Sequence, residues 1–364
     1  MQIRHLRLAC FLDWHCPYCW KLSLNTWNEY VQIVEHEWPC IPEIALVLTI
    51  ETHPERIVAV IVTHFPDAES QTRLLHRLAS QVNEIVIVSN SAVIEQSAST
   101  EHAKPQDHST SEHTSAGDDY SSSQAELPHP AIQTHYLNNG NHHGLAGGLN
   151  LGITYALDIL KTDYLYLSDQ DSLPAPELVQ RLLEHYKQLS SVAFEPIGAI
   201  GPSHQYINTR FDGFPRHKPV KVSDIISSGS LISCNVINAV GIMDEKLFID
   251  YVDTEWCYRA TLLGYSHWVV PGEQLEHTLG NASVRVLNTT KPIHHNADRH
   301  YYIVRNSMYL WRQPHMPLRW KLIDMAKFAR RIIAYPLLST DKPKHLRAVL
   351  QGIRDGFKMR MGER

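Results

Sequence analysis

The stretch that most constrains this chain is Ile57-Val-Ala-Val-Ile-Val-Thr63, six aliphatic residues in a row closed by a threonine. A strand with one wet face alternates apolar and polar residues. An unbroken β-branched run is stable only when both faces are covered, as in a parallel sheet. His64-Phe-Pro66 ends the run. Glu69 to Gln81 then places Leu74, Leu75 and Leu78 on one side of a helix. A second aliphatic run, Glu84-Ile-Val-Ile-Val88, is closed by Ser89-Asn90-Ser91. Strand, helix and strand within roughly thirty residues make a βαβ unit.

The same rhythm resumes further on. Ile132 to Leu137 reads as a short strand, Asn138 to Gly144 as a loop, and Leu145 to Leu160 as a helix with Gly147, Gly148 and Asn150 near its start. Glycines there let another backbone or a ligand come close. The stretch Tyr164 to Pro174 is the next strand, a run of tyrosines and leucines that ends in two carboxylates; Pro176 to Leu189 is a helix, and Ile197 to Gly201 a strand. The alternation predicts a doubly wound α/β layer, with helices on both faces of a mostly parallel sheet. After Lys218 the pattern becomes mixed, which suits an acceptor-binding half on the same sheet.

Two regions fall outside this rhythm. Residues 94–130 are rich in Ser, Thr, His, Gln and acids and nearly free of large apolar side chains, and they read as a flexible insertion. Residues 1–54 read as an N-terminal extension. It contains Cys16-Pro17-Tyr18-Cys19, which resembles a redox motif and, with Cys10 and Cys40, half of a zinc site. The irregular spacing and the lack of a preceding strand favour an accessory extension over either. Cys234 and Cys257 complete the six cysteines, which are expected to be thiols.

Nothing at the N-terminus reads as a signal peptide, and no apolar run reaches the roughly 18 residues of a membrane span. Both predict a cytoplasmic protein. The net charge of −5 is unevenly placed. From Arg312 to the end there are thirteen Lys/Arg against four Asp/Glu, which leaves 20 against 34 before it. Within residues 312–364, bases interleave with Trp320, Leu322, Ile323, Met325, Phe328, Ile332 and Ile333. A basic amphipathic helix of this kind predicts peripheral contact with the inner face of the plasma membrane. No nucleic-acid-binding module is recognisable.

The chemistry is concentrated in two groups of acids. Asp169-Gln170-Asp171 lies at the carboxyl end of a buried strand, where open α/β sheets collect ligands. Two carboxylates so close repel each other unless they share a hard cation, and Mg²⁺ or Mn²⁺ suits oxygen ligands while leaving positions for phosphate. The structural alternative is a cap for the helix after Pro174. The second group is Asp250, Asp253 and Glu255, ahead of a helix over Trp256 to Leu263. Three acids beside Trp and Tyr suit a polyhydroxylated ligand, although Glu255 would also favour the helix dipole.

In order along the chain stand IVAVIVTHFPD, NEIVIVSNS, GLAGGLNLGITYAL, YLSDQDS, IGAIGP, SGSLIS, VGIMDEKLFIDYVDTEWCYRA and HYYIVRN. The set resembles the inverting family 2 glycosyltransferases, and most closely their bacterial rhamnosyltransferase branch, over about residues 56–312 apart from the insertion. The resemblance implies a GT-A fold with a Rossmann-like sheet. It also implies a nucleotide-sugar donor, dTDP-L-rhamnose, and an acceptor hydroxyl on a polysaccharide or lipid-linked glycan precursor. It puts Asp169 and Asp171 on the metal and donor motif, Asp253 on the catalytic base, Arg259 on the arginine that follows, and His277 on a further metal or diphosphate contact. Thr63, His64, Pro66 and Asn90 fall on nucleotide-facing strand ends, and Asn150 on the helix beneath the donor. The chain departs from the pattern at Ser89, where the family often has Asp, and at Val252, where it has Glu before the base. Asp250 is then the runner-up base, and a nucleotide-sugar-binding protein without catalysis is the competing expectation. A nucleotidyltransferase would need a glycine-rich triphosphate loop after the first strand, and Thr63-His-Phe-Pro66 is not one.

Overall fold

The computed structural model describes residues 54–91, 132–140, 144–204, 215–277, 283–286, 289–292, 296–339 and 341–364. The cysteine motif of the extension and the insertion at 94–130 lie outside the described residues. Contacts divide the chain between Pro54 and Glu55.

The first aliphatic run is β1 (Ile57–Thr63), buried along its whole length. It is followed by α1 (Ala68–Ala79), β2 (Glu84–Ser89), β3 (Thr134–Asn138), α2 (Gly144–Asp158), β4 (Tyr164–Asp169), β5 (Ser172–Pro174), α3 (Leu178–Val192) and β6 (Ile197–His204). Then come β7 (Val220–Val222), β8 (Ser230–Ser233), α4 (Cys234–Val240), a 3-10 turn at Glu245–Leu247, α5 (Val252–Leu262) and β9 (Ser266–His277). A hairpin of β10 (Ser283–Val286) and β11 (Thr289–Pro292) leads to α6 (Ala297–Leu310), α7 (Leu318–Leu338) and α8 (Lys342–Phe357).

Nine strands form one sheet in the order β3-β2-β1-β4-β8-β6-β9-β5, with β7 alongside β9. The β3-β2-β1-β4 half is entirely parallel, and β6 runs parallel to β9. Only β8, β5 and β7 run the other way, so six of the nine strands share one direction. The mostly parallel α/β sheet expected from the aliphatic runs is present.

Strands β1, β2 and β4 each serve two cores. One face of β1 and β2 (Val58, Val60, Val62, Val86, Val88) packs on α2, in a core that extends to α4 and α5. The other (Ile57, Ala59, Ile61, Ile85, Ile87) belongs to a core shared with α1 and α3. The glycines of α2 set its distance from the sheet. A Cβ on Gly148 would stand 2.8 Å from Val62 Cγ1, and one on Gly152 2.4 Å from Val60 Cγ1. Close helix–strand packing, not ligand approach, accounts for both.

Helices α6, α7 and α8 belong to the same body as the sheet. Tyr301 of α6 donates to Asp355 of α8 at 3.2 Å, and the His300 ring stacks on Tyr335 of α7 with centroids 3.6 Å apart. The basic segment after Arg312 is thus built into the fold on one side. Among the described residues, no helix is long and apolar enough to cross a membrane. Cys234 and Cys257 are buried free thiols.

Candidate active site

Strand order reverses direction at β1, which has β2 on one side and β4 on the other. Crevices form at such switch points, beyond the carboxyl ends of the strands. Asp169 is the last residue of β4 and lies opposite Val62, one residue before the end of β1. Its backbone N–H donates to Ser228 Oγ at 3.3 Å, and that hydroxyl donates to Ser172 Oγ at 2.7 Å. The glutamine between the two acids ties the neighbouring strand ends together. Gln170 Oε1 accepts from the His64 N–H at 2.6 Å, and its Nε2 donates to the His64 carbonyl at 3.1 Å.

Asp171 is exposed in the turn between β4 and β5. It does not cap a helix. Ser172 begins β5, which pairs with the end of β9, and α3 starts only at Leu178, where Glu177 makes no side-chain capping bond. His277 pairs with Ser172 in that ladder, next to Asp171, and its side chain lies outside the described residues. Burial pushes the Asp169 carboxyl up to about 6; Asp171 adds to the rise and the Arg299 guanidinium opposes it.

The second group of acids sits on a different kind of support. Phe248, Asp250 and Tyr251 all have positive φ (64°, 62° and 67°). Such conformations cost about 1–3 kcal/mol per non-glycine residue and persist only where the surroundings over-determine them. Here they do. Asn306 Nδ2 donates to the carbonyls of Leu247, Ile249 and Asp250 at 2.9, 2.8 and 3.0 Å. Arg305, fully buried, donates to the carbonyls of Lys246 and Leu247 at 3.1 and 3.0 Å. Phe248 stacks on Tyr302 with centroids 4.9 Å apart. Tyr251 Oη donates to Asp324 of α7 at 2.8 Å, and Arg331 of α7 donates to the same hydroxyl.

Asp250 is held by Arg299 of α6, with Nη2 2.9 Å from its Oδ1. Three residues on, Asp253 lies in the first turn of α5 and lines a small pocket with Leu167, Ile225, Ser227 and Trp256. Burial among these side chains pushes its carboxyl up to about 6. Asp224 and Asp169 push the same way, while the N–H groups of Thr254 (2.8 Å) and Ser227 (3.4 Å) oppose. Thr254 Oγ1 also donates to Asp224 at 3.2 Å, which fixes Asp224 beside Asp253. Asp169 makes the smallest of the contributions at Asp253, so the strand acid lies within electrostatic reach of the helix acid.

The remaining residues singled out in the sequence surround this cleft in two ways. Thr63, Asn90, Asn150 and Arg259 are tied into the scaffold. Thr63 Oγ1 reaches the Val88 carbonyl at 3.4 Å, and Asn90 bridges Gly144 O (2.7 Å) and Asn139 (2.8 Å). Asn150 clasps Met243 through both its N–H (2.8 Å) and carbonyl (3.0 Å). Arg259 forks onto buried Glu255 at 3.0 and 2.9 Å and donates to the carbonyls of Val240 and Ile242, so Glu255 is part of an internal ion pair. His64 is exposed and Pro66 half-buried at the open edge beyond β1. Among the described residues, no three His, Cys, Asp or Glu side chains gather as a ready metal cage.

Asp224, Arg299, Ser228 and the Tyr251–Asp324–Arg331 group are the site residues that sequence reasoning missed. Arg299 stands three residues ahead of the HYYIVRN motif's Tyr302, and its spacing from Asp250 carries no signal. Asp224 sits in a polar stretch with no periodicity to mark it.

Carboxylates from a strand end and a helix start, gathered at the switch point of a largely parallel sheet, define the class: an α/β enzyme with its site at the carboxyl edge. The family model Glycosyl transferase family 2 matches residues 118–240. A dTDP-rhamnosyl transferase, RfbF, of Shigella flexneri is 34% identical over 240 residues, covering 61% of this chain and 79% of that protein. The low-salt glycan biosynthesis hexosyltransferase Agl10 of Haloferax volcanii is 26% identical over 140 residues, covering 35% of this chain and 46% of that one. Among solved structures, the S. aureus TarS 1-349 complex with UDP-GlcNAc is 13% identical, with a TM-score of 0.44, covering 82% of this chain and 81% of that one. The chain belongs to glycosyltransferase family 2, and it is a glycosyltransferase.

Proposed function

We propose that this glycosyltransferase moves L-rhamnose from dTDP-L-rhamnose to a hydroxyl of a cell-surface polysaccharide or glycolipid precursor, with inversion at the anomeric carbon. The donor is supported by the identity to the Shigella flexneri dTDP-rhamnosyl transferase over four-fifths of that protein's length. The observation that carries the chemistry is that Asp169 at the end of β4 and Asp253 at the start of α5, delivered by separate elements, lie within electrostatic reach.

Asp253 is the base. An unperturbed Asp titrates near ~3.9 and is a weak base toward an alcohol, whereas a carboxyl pushed up to about 6 accepts the hydroxyl proton more readily. Asp250, the runner-up, is occupied by the Arg299 ion pair. Asp253 takes the proton late, as the acceptor oxygen bonds to an oxocarbenium-like carbon from the face opposite the leaving group.

Asp169 and Asp171 suit Mg²⁺ or Mn²⁺. They are all-oxygen donors, and the repulsion and burial that push the Asp169 carboxyl up to about 6 are relieved by a cation between them. His277, opposite Ser172 in the ladder, is the third candidate ligand. A bound divalent ion there supplies charge neutralisation for the departing nucleoside diphosphate. His64 and Pro66 line the nucleotide edge of the cleft. Thr63, Asn90, Asn150 and Arg259 keep the donor side in shape through the scaffold bonds described above. Ser89 is buried against Ser91, with hydroxyls 3.0 Å apart, and replaces the family's base-reading Asp with a neutral group. The reading places the enzyme in the cytoplasm at the inner face of the plasma membrane, where a lipid-linked acceptor is met.

The test is release of dTDP from dTDP-L-rhamnose with an acceptor glycan, with Mn²⁺ and with chelator, and the anomeric configuration of the product by NMR. Metal-dependent release and an inverted product are expected. Donor binding without release would favour the non-catalytic alternative, and a retained configuration would remove Asp253 as base.

A further inference from the structure

Helix α7 has two faces with different tasks. One face holds the acid loop: Asp324, 3% exposed, accepts from Tyr251 and from Trp311, and Arg331 reaches both Tyr251 and Asp324. Tyr251 stands two residues before Asp253. The opposite face carries Leu318, Leu322, Met325, Ile333 and Leu337, 41–71% exposed. Their spacings of four, three, eight and four residues put them on one stripe of the helix. Arg319, Lys327 and Arg330 are exposed along its edge. The helix's lone acid, Asp324, is on the buried side, so the exposed face bears bases only. Helix α8 repeats the pattern with exposed Leu346, Leu350 and Phe357 beside Arg347, Arg354 and Lys358.

A soluble monomer rarely leaves such a stripe in water. An apolar stripe edged by bases fits the interface of an anionic bilayer, where leucines enter the headgroup boundary and bases meet lipid phosphates. A second copy would set like charges against like.

We propose that α7 docks on an anionic phospholipid surface through the Leu318–Leu337 stripe and its flanking bases, and so holds the acid loop at the bilayer. It rests on the transferase reading only for what docking achieves, namely meeting a lipid-linked acceptor. The docking itself is measured without turnover.

The experiment is co-sedimentation of the full chain with phosphatidylcholine vesicles containing about one-third phosphatidylglycerol, at low and high salt. Binding that weakens with salt is expected. In L322E/M325E and in R319E/K327E/R330E, whose substituted residues are all exposed, it should fall at least about tenfold with an unchanged circular dichroism spectrum. Transfer to a water-soluble acceptor should be unchanged in both variants. Absence of vesicle binding by the parent chain, or binding indifferent to both variants, overturns the proposal. So does a dimer in light scattering that L322E/M325E dissociates, which would assign the stripe to a second copy. A chain that binds vesicles but transfers no sugar would leave docking standing and sink the transferase reading.

Discussion

The two groups of acids reach the cleft by opposite means. Asp169 and Asp171 are delivered by the sheet: β4 is hydrogen-bonded on both sides, and its end falls at the crevice because parallel strands end there. Asp250 sits in a loop of unfavourable backbone conformation that leads into the first turn of α5, where Asp253 lies, and α6 and α7 hold that loop from outside. A strand end comes pre-positioned by a ladder that the fold needs anyway. A positive-φ loop depends on every bond that restrains it. The difference implies that damage far from the chemistry will be tolerated on the strand side and not on the loop side.

The largest effect is expected from Asp253→Asn, with transfer reduced by roughly 10³-fold or more while calorimetric dTDP affinity is retained. Asp250→Asn should cost less and act through its release of Arg299; equal losses in the two variants would dissolve the distinction between base and loop acid. Asn306→Ala comes next. It strips three carbonyls of the loop of their donor, and each buried unsatisfied group costs about 1–3 kcal/mol. Denaturant unfolding and kcat should both fall. Gln170→Ala, the strand-side counterpart, should cost about 1 kcal/mol. A greater loss for Gln170→Ala would invert the comparison.

Acidity sharpens it further. With Asp253 as base, kcat/KM should fall as pH drops below about 6. Stability should move the other way. Asp169 and Asp253 hold protons in the folded state up to about 6, whereas the unfolded groups lose theirs near 3.8. The native state therefore binds more protons across that window, and stability declines as pH rises through it. Asp253→Asn should then raise the melting temperature at neutral pH by roughly 2–6 °C, and Mn²⁺ should do the same for the parent chain through Asp169. A neutral-pH melting point lowered by Asp253→Asn would show the acid to be held by the fold, not endured by it.

Strands β1 and β2 were legible because burial on both faces demands unbroken aliphatic runs, and both lie within a residue of their expected limits; the stretch from Tyr164 to Pro174 instead breaks into β4 and β5. The acids at 169 and 171 were legible for the same reason, since strand ends point at the crevice. Strand β5 was not. Its three residues take their identity from β9, some hundred residues away. Nor was the loop, because Phe248 and Tyr251 are bulky residue types that avoid positive φ, and Asn306 and its neighbours override that preference. Arg305 and Asn306 were visible in the sequence only as letters of the HYYIVRN motif. Their bonds to the loop carbonyls show that the arginine–asparagine pair is a bracket for the acids.

Gln170 has a consequence of its own. Because one carboxamide grips both the amide and the carbonyl of His64, the turn that bears the two strand acids and the lip beyond β1 move as a single piece. An ion arriving at the turn would be felt by the exposed His64 and Phe65 rings, whose centroids are 4.6 Å apart, before any nucleotide enters. Cation and base would thus report on each other through a lever one side chain long, and the imidazole proton resonances of His64 are the place to watch it swing.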